Sequence, residues 1–316
     1  MKKLTKLLCL IISAMLLLSV LPLQGFAAGE IDTAAQCSLT ISFTHEQHGV
    51  SGVEYEIYRV ASVSADAQFT VEQAFAGYPV DFTDLDDDRL AELASTLQGY
   101  VLSDALVPAA SGKTDADGKL MFSDLQPGLY LVLGNRLEAD GKIYKPVPFM
   151  ICLPFEDKES VEWNYDPTVI PKFSVEDVPP SPETVKIKVL KIWDDKGSEK
   201  VRPTKITVQL LCDGKPYSSV TLSKENNWSY SWENLDKNHD WTVVETKLDN
   251  YTVKVKRQGN TFTLTNTYTK PPEKPTEPSD EPIIKTGLLW WPVPVLLGAG
   301  VLCIIVAMIR SKQSDK

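Results

Sequence analysis

Three strand-like segments in the C-terminal part of this chain each direct one polar group toward positions that should be apolar. Successive side chains of a β-strand point to opposite faces. In VKIKVLKIW the residues Val185, Ile187, Val189, Lys191 and Trp193 therefore share a face, and a lysine lies in register with the apolar set. In WTVVE the face bearing Trp241 and Val243 also bears Glu245, and in FTLTNTY the face bearing Phe262 and Leu264 also bears Asn266, then Tyr268. Buried charge is costly unless it is paired. A buried Lys191–Glu245 ion pair with an asparagine beside it meets that constraint. So does a reaction. Burial favours the neutral amine of Lys191, a nucleophile, and the protonated acid of Glu245. The acid donates a hydrogen bond to the Asn266 side-chain carbonyl and polarises it. Attack by the amine expels ammonia and leaves a Lys191–Asn266 amide between the first and last strands. Alternation alone does not choose between the two.

The elements that must hold these residues are mostly β. Short alternating runs recur between turn signals: EYEIYRV, KLMFSDL and LYLVLG in one stretch, VKIKVLKIW, KITVQLL and FTLTNTY in the next. Such spacing predicts antiparallel sandwiches. The proline- and acid-rich run VEDVPPSPET separates the two stretches. In the first, DFTDLDDDRLAELASTLQGYV places Leu85, Leu90, Leu93, Leu97 and Val101 on one helical face behind an acidic start. The fold class expected is two tandem Ig-like or prealbumin-like β-sandwich domains, the first with a helix insertion, followed by a C-terminal transmembrane sorting helix.

Both ends of the chain indicate an exported protein. Lys2, Lys3 and Lys6 precede the apolar run Leu7–Leu23, and the small residues Gly25 and Ala27 suit cleavage of a signal peptide over 1–28. At the other end a proline-rich acidic linker (270–282) leads to IIKTG (283–287). An apolar run of about 22 residues, 288–309, follows, long enough for a membrane-spanning helix. Arg310, Lys312 and Lys316 then form a cytoplasmic tail over 310–316. The chain carries a formal net charge of −10, and its two cationic ends hold three lysines and three cations against one acid. The exported part is thus near −15, a surface that repels nucleic acid and anionic membranes. Of five cysteines, Cys37, Cys152 and Cys212 lie in that part, too few for a disulfide scaffold. Cys37 and Cys152, each in an apolar strand-like run, are able either to bridge or simply to be buried.

The order VLKIWDD, RPTKITVQLLCDGK, NNWSYSWENL, TVVE, TLTNTY resembles a Cna protein B-type domain over 184–269. In that family a lysine two before the tryptophan, the glutamate of the TVxE-like strand and the asparagine of the TNTY strand form a self-generated isopeptide bond. The resemblance carries those roles to Lys191, Glu245 and Asn266. Residues 29–174 are more loosely similar to N-terminal domains of Gram-positive pilins of the SpaA type, through SLTISF, GVEYEIYRVA and TDADGKLMFSDLQPGLYLV, with 175–183 as linker. The first strand there places Cys37, Leu39, Ile41 and Phe43 inward and no lysine, so no isopeptide is expected by that route. IIKTG resembles a sortase signal, to be cut between Thr286 and Gly287, with Ile284 standing where the motif has proline. WNYDPTVIPK resembles the pilin motif in Trp163, Val169, Pro171 and Lys172, which implies Lys172 as the amine that accepts the next subunit.

Enzymatic signatures are sparse. His45-Glu46-Gln47-His48 has one residue too few between its histidines for a helical zinc motif. Asp84, Asp86, Asp87 and Asp88 lack the central glycine and terminal glutamate of a calcium loop. No glycine-rich phosphate loop or nucleophile elbow is present. Glu245 would act once, on its own chain, so no enzyme, cofactor or metal is expected. The function expected is a sortase-processed pilin at the cell wall, a pilus shaft subunit, with sortase, other pilin subunits and peptidoglycan as partners and its precursor held in the plasma membrane. The alternatives are a wall-anchored or basal adhesin, with a host ligand on the first domain, and a permanently membrane-anchored surface protein.

Overall fold

A computed structural model describes residues 29–83, 85–157, 162–179 and 183–270. These belong to one compact unit bounded at Lys270. Among the described residues no helix is long and apolar enough to cross a membrane. The signal peptide, the linker beyond Lys270, Thr286, Gly287 and the apolar run 288–309 all lie outside them.

The core of the N-terminal part lies between two of its sheets. Cys37–Ser42 runs antiparallel to Lys119–Leu125 and parallel to Thr168–Val169. Opposite, Glu54–Val63 is flanked by Gly128–Gly134 and by Phe69–Val71 and Ala110–Lys113, with Phe149–Leu153 beyond Gly128–Gly134. Alternation sets the core between them: Cys37, Leu39, Ile41 and Phe43 are buried from one side, Tyr55, Ile57, Tyr130 and Val132 from the other. Phe173–Asp177 pairs with Lys142–Pro146, so the chain stays in a sheet into the proline-rich run. His45 and His48 face each other across a two-residue hairpin rather than along a helix.

In the C-terminal part the order in one sheet is Ser229–Asp236, Thr184–Asp194, Thr261–Tyr268, Tyr251–Gln258; in the other it is Lys215–Ser223, Lys205–Cys212, Trp241–Glu245. The first and last strands, Thr184–Asp194 and Thr261–Tyr268, lie side by side and parallel, from Lys188 opposite Thr261 to Asp194 opposite Thr267. Trp241–Glu245 and Tyr251–Gln258 each form one edge of their sheet.

The helix Asp87–Ser103 begins where Asp86 caps it, its carboxylate accepting the Arg89 backbone N–H at 2.8 Å. That capping role occupies one member of the aspartate cluster. Leu93, Leu97 and Val101 are buried, as the periodicity predicts, and Leu85 and Leu90 are partly buried. A second stripe, Thr96, Gly99 and Tyr100, is buried as well. The helix packs on the outer face of the sheet that holds Leu131 and Met150. Thr96, Gly99 and Tyr100 meet the edge strands Trp241–Glu245 and Tyr251–Gln258. One continuous hydrophobic cluster therefore runs from Leu131 and Met150 through the helix to Val243 and Val255.

Candidate functional site

Lys191, Glu245 and Asn266 meet inside the C-terminal sandwich. Ile187, Val189 and Lys191 are buried on one face of Thr184–Asp194, and Phe262, Leu264 and Asn266 on one face of the neighbouring strand. Lys191 is opposite Leu264, and Asn266 opposite Trp193, two residues along the same parallel ladder. Glu245 enters from the facing sheet, where it ends Trp241–Glu245 opposite Val208. Residue exposures are 7% for Lys191, 3% for Glu245 and 1% for Asn266, so the trio sits out of reach of bulk water.

The glutamate lies between the other two. One carboxyl oxygen, Oε2, is 3.6 Å from Lys191 Nζ, and the other, Oε1, accepts a hydrogen bond from Asn266 Nδ2 at 2.5 Å. Lys191 Nζ also donates to the backbone carbonyls of Ile192 (3.1 Å) and Leu264 (3.3 Å) and lies 4.4 Å from the centre of the Trp193 ring. Asn266 Oδ1 is buried with no hydrogen-bond partner. Desolvation moves both ionisable groups toward their neutral forms. It lowers the Lys191 amine to about 8, although Glu245 opposes the shift, and it raises the Glu245 carboxyl although Lys191 and Asn266 oppose it. The same burial thus favours a neutral amine and a protonated acid within one contact shell of an amide. Alternation anticipated the trio but not the amide's orientation: nitrogen, not carbonyl oxygen, faces Glu245.

A second layer surrounds the trio. Asp195, 4% exposed, accepts two hydrogen bonds from Arg202 (2.8 and 2.5 Å) and one from the Tyr251 hydroxyl at 3.4 Å. Arg202 holds the Asp195 carboxyl below its ordinary value. Sequence reasoning missed this pair, although an aspartate and an arginine seven apart around a turn are a visible signal.

Residues 187–267 match the Cna protein B-type domain family. The trio falls inside the matched segment. Over 95 residues the chain is 36% identical to a collagen adhesin of Staphylococcus aureus, a stretch that is 28% of this chain and 8% of that protein. The chain thus spans under a tenth of that curated relative. Among solved structures it is similar to two B repeat units of the collagen-binding protein of Staphylococcus aureus, at 17% identity and a TM-score of 0.25, covering 74% of this chain and 49% of the other. It is also similar to the full-length major pilin SpaD of Corynebacterium diphtheriae, at 16% identity and a TM-score of 0.29, covering 75% and 65%.

Outside the B-type domain, Lys172 is exposed and sits between Thr168–Val169 and Phe173–Asp177, its carbonyl accepting the Val147 N–H at 2.8 Å. Pro171 beside it is buried, and Val169 is held opposite Ile41. Cys37, Cys152 and Cys212 are free thiols; burial pushes Cys37 up to about 11 and Cys152 up to about 12.

Proposed function

We propose that this chain is an exported, sortase-processed pilin, a shaft subunit of a Gram-positive surface fibre, whose B-type domain is closed by an isopeptide bond between Lys191 and Asn266. The observation that carries the reading is the Glu245 carboxyl held between the Lys191 amine and the Asn266 amide in a buried pocket. Proton transfer from Lys191 Nζ to Glu245 Oε2 gives the neutral amine and the acid. The amine lone pair adds to Asn266 Cγ. The carboxyl turns to bring its protonated oxygen to Nδ2 and protonates it, and the Cγ–Nδ2 bond breaks to release ammonia. The carboxylate takes the surplus proton from the new amide nitrogen. Glu245 is a proton carrier that acts once per molecule.

Sortase processing rests on the Thr286-Gly287 pair and on Lys172. The exposed Lys172 beside a buried proline supports its reading as the amine that attacks an acyl-enzyme carrying the preceding subunit's Thr286. Peptidoglycan would receive the last subunit by the same chemistry. The linker 270–282 supports a polymer, since it reaches only about 40 Å at ~3.1 Å per residue. In this reading the tandem domains are the repeating segments of the fibre.

Two measurements test the proposal. The intact chain should be lighter by one ammonia, and Lys191→Ala should restore the full mass; full mass without the substitution removes the bond. Muralytic extracts run under denaturing conditions should show a high-mass ladder that collapses with Lys172→Ala. A single band in both would leave a monomeric anchored protein, the adhesin reading.

A further inference from the structure

The helix Asp87–Ser103 makes contacts with the B-type domain that neither the family match nor the isopeptide chemistry explains. The edge strands Trp241–Glu245 and Tyr251–Gln258 leave backbone groups unpaired in their own sheets, and the N-terminal part supplies partners for them. The Tyr100 hydroxyl donates to the Glu245 backbone carbonyl at 3.1 Å. Thr96 Oγ1 accepts the Val255 N–H at 2.8 Å, and the Pro79 carbonyl accepts the Val253 N–H at 2.6 Å. The approach is too close for a side chain at the crossing: a Cβ on Gly99 would lie 2.7 Å from the Val243 carbonyl oxygen and 3.3 Å from the Val244 Cβ. As a result Thr242 and Val244, which alternate away from the core, are buried too, and every residue of Trp241–Glu245 is out of water. Stacking of Tyr78 on Tyr100 (4.9 Å between centroids) and a Lys247–Asp104 ion pair at 3.9 Å seal the rim.

We infer that this helix is a positioning element for the isopeptide reaction: Tyr100 and Gly99 fix the backbone of Glu245 and keep water from its strand, so that bond formation in the B-type domain depends on the folded N-terminal part. The inference rests on the reading of Lys191, Glu245 and Asn266 given above. A strand at an open sheet edge frays and admits water. Here the edge strand carries the proton carrier, and a reacting group displaced by a fraction of a hydrogen-bond length loses much of its rate. The groups that face Glu245 are Lys191 and Asn266 across the core and Tyr100 from the helix; Asp195 and Arg202 act on Lys191 from behind.

The test is a time course of the Lys191–Asn266 cross-linked tryptic peptide in newly synthesised full-length chain, over a range of pH and well below the unfolding temperature. Tyr100→Phe removes one hydroxyl and should slow the reaction about fivefold, the worth of one net hydrogen bond. Gly99→Val lifts the helix off the strand and should slow it roughly a hundredfold. Water admitted to Glu245 lowers its carboxyl toward the ordinary range, so in Gly99→Val the rate should fall off at lower pH than in the unaltered chain. A purely structural role would change the unfolding midpoint and leave the rate and its pH profile where they were. If both folded variants cross-link at the unaltered rate, the positioning role is refuted while the bond stands. If the unaltered chain, like Lys191→Ala, never cross-links, the bond and the positioning role fall together.

Discussion

Replacing Lys191 by methionine together with Glu245 by glutamine removes both buried charges at once, so no unpaired ion is left behind to confuse the result. Under the proposed Lys191–Asn266 bond, the lost term is then the closed loop. Lys191 and Asn266 enclose about 75 residues, and the chain-entropy estimate for a cross-link of that span is about 4.5 kcal/mol at 25 °C. How far this moves the melting temperature depends on what unfolds with it, because unfolding entropy scales at about 2.1 cal/mol/K per residue. If the B-type domain of about 85 residues melted alone, the midpoint would fall by about 25 °C. The shared hydrophobic cluster through the helix argues for a unit of about 240 residues instead, and a fall of about 9 °C in a single transition. Differential scanning calorimetry with mass spectrometry on both proteins decides it. A shift under about 2 °C would refute the loop-closure reasoning, and two separate transitions would refute the shared unit.

Three further outcomes follow from the geometry. Asp195→Asn leaves Arg202 without its charged partner and should cost about 1–3 kcal/mol, read from the urea midpoint in a Lys191→Met background. Leu97, fully buried within the helix between the two sheet systems, should cost about 2–5 kcal/mol when changed to alanine, with amide exchange quickening in both parts of the chain. Cys37 and Cys152 hold their protons in the fold up to about 11 and about 12, against an ordinary 9.0. The unfolded chain therefore loses those protons first, and stability should fall as pH rises from about 9 to about 12. A Cys37→Ala/Cys152→Ala variant should show a shallower fall in denaturant midpoint over that window.

The buried trio was legible because strand alternation has a period of two, and a lysine, a glutamate and an asparagine that break it stand out against Ile187, Val243 and Leu264. The strands around them were legible for the same reason. The helix was half legible. Leu93, Leu97 and Val101 form a stripe that periodicity detects, whereas Thr96, Gly99 and Tyr100 combine a hydroxyl, no side chain and an aromatic, and no hydropathy pattern flags such a set. The matching signal lay in WTVVE, where Val244 is apolar on the face that a free sheet edge would give to water. The orientation of the Asn266 amide depends on the Glu245 carboxyl it meets, and nothing along one strand specifies that.

The parallel pairing of the first and last strands also decides how the domain would carry load. Tension enters near Thr184 and leaves near Tyr268, at opposite ends of two strands that run the same way. The ladder from Lys188–Thr261 to Asp194–Thr267 is then sheared as a set instead of being opened rung by rung. With Lys191 joined to Asn266 the tension passes directly from one strand to the other, and the intervening stretch of about 75 residues, which would otherwise pay out some 250 Å of chain at about 3.4 Å per residue, is bypassed. A fibre of such subunits would hold its length under pull and fail without first stretching.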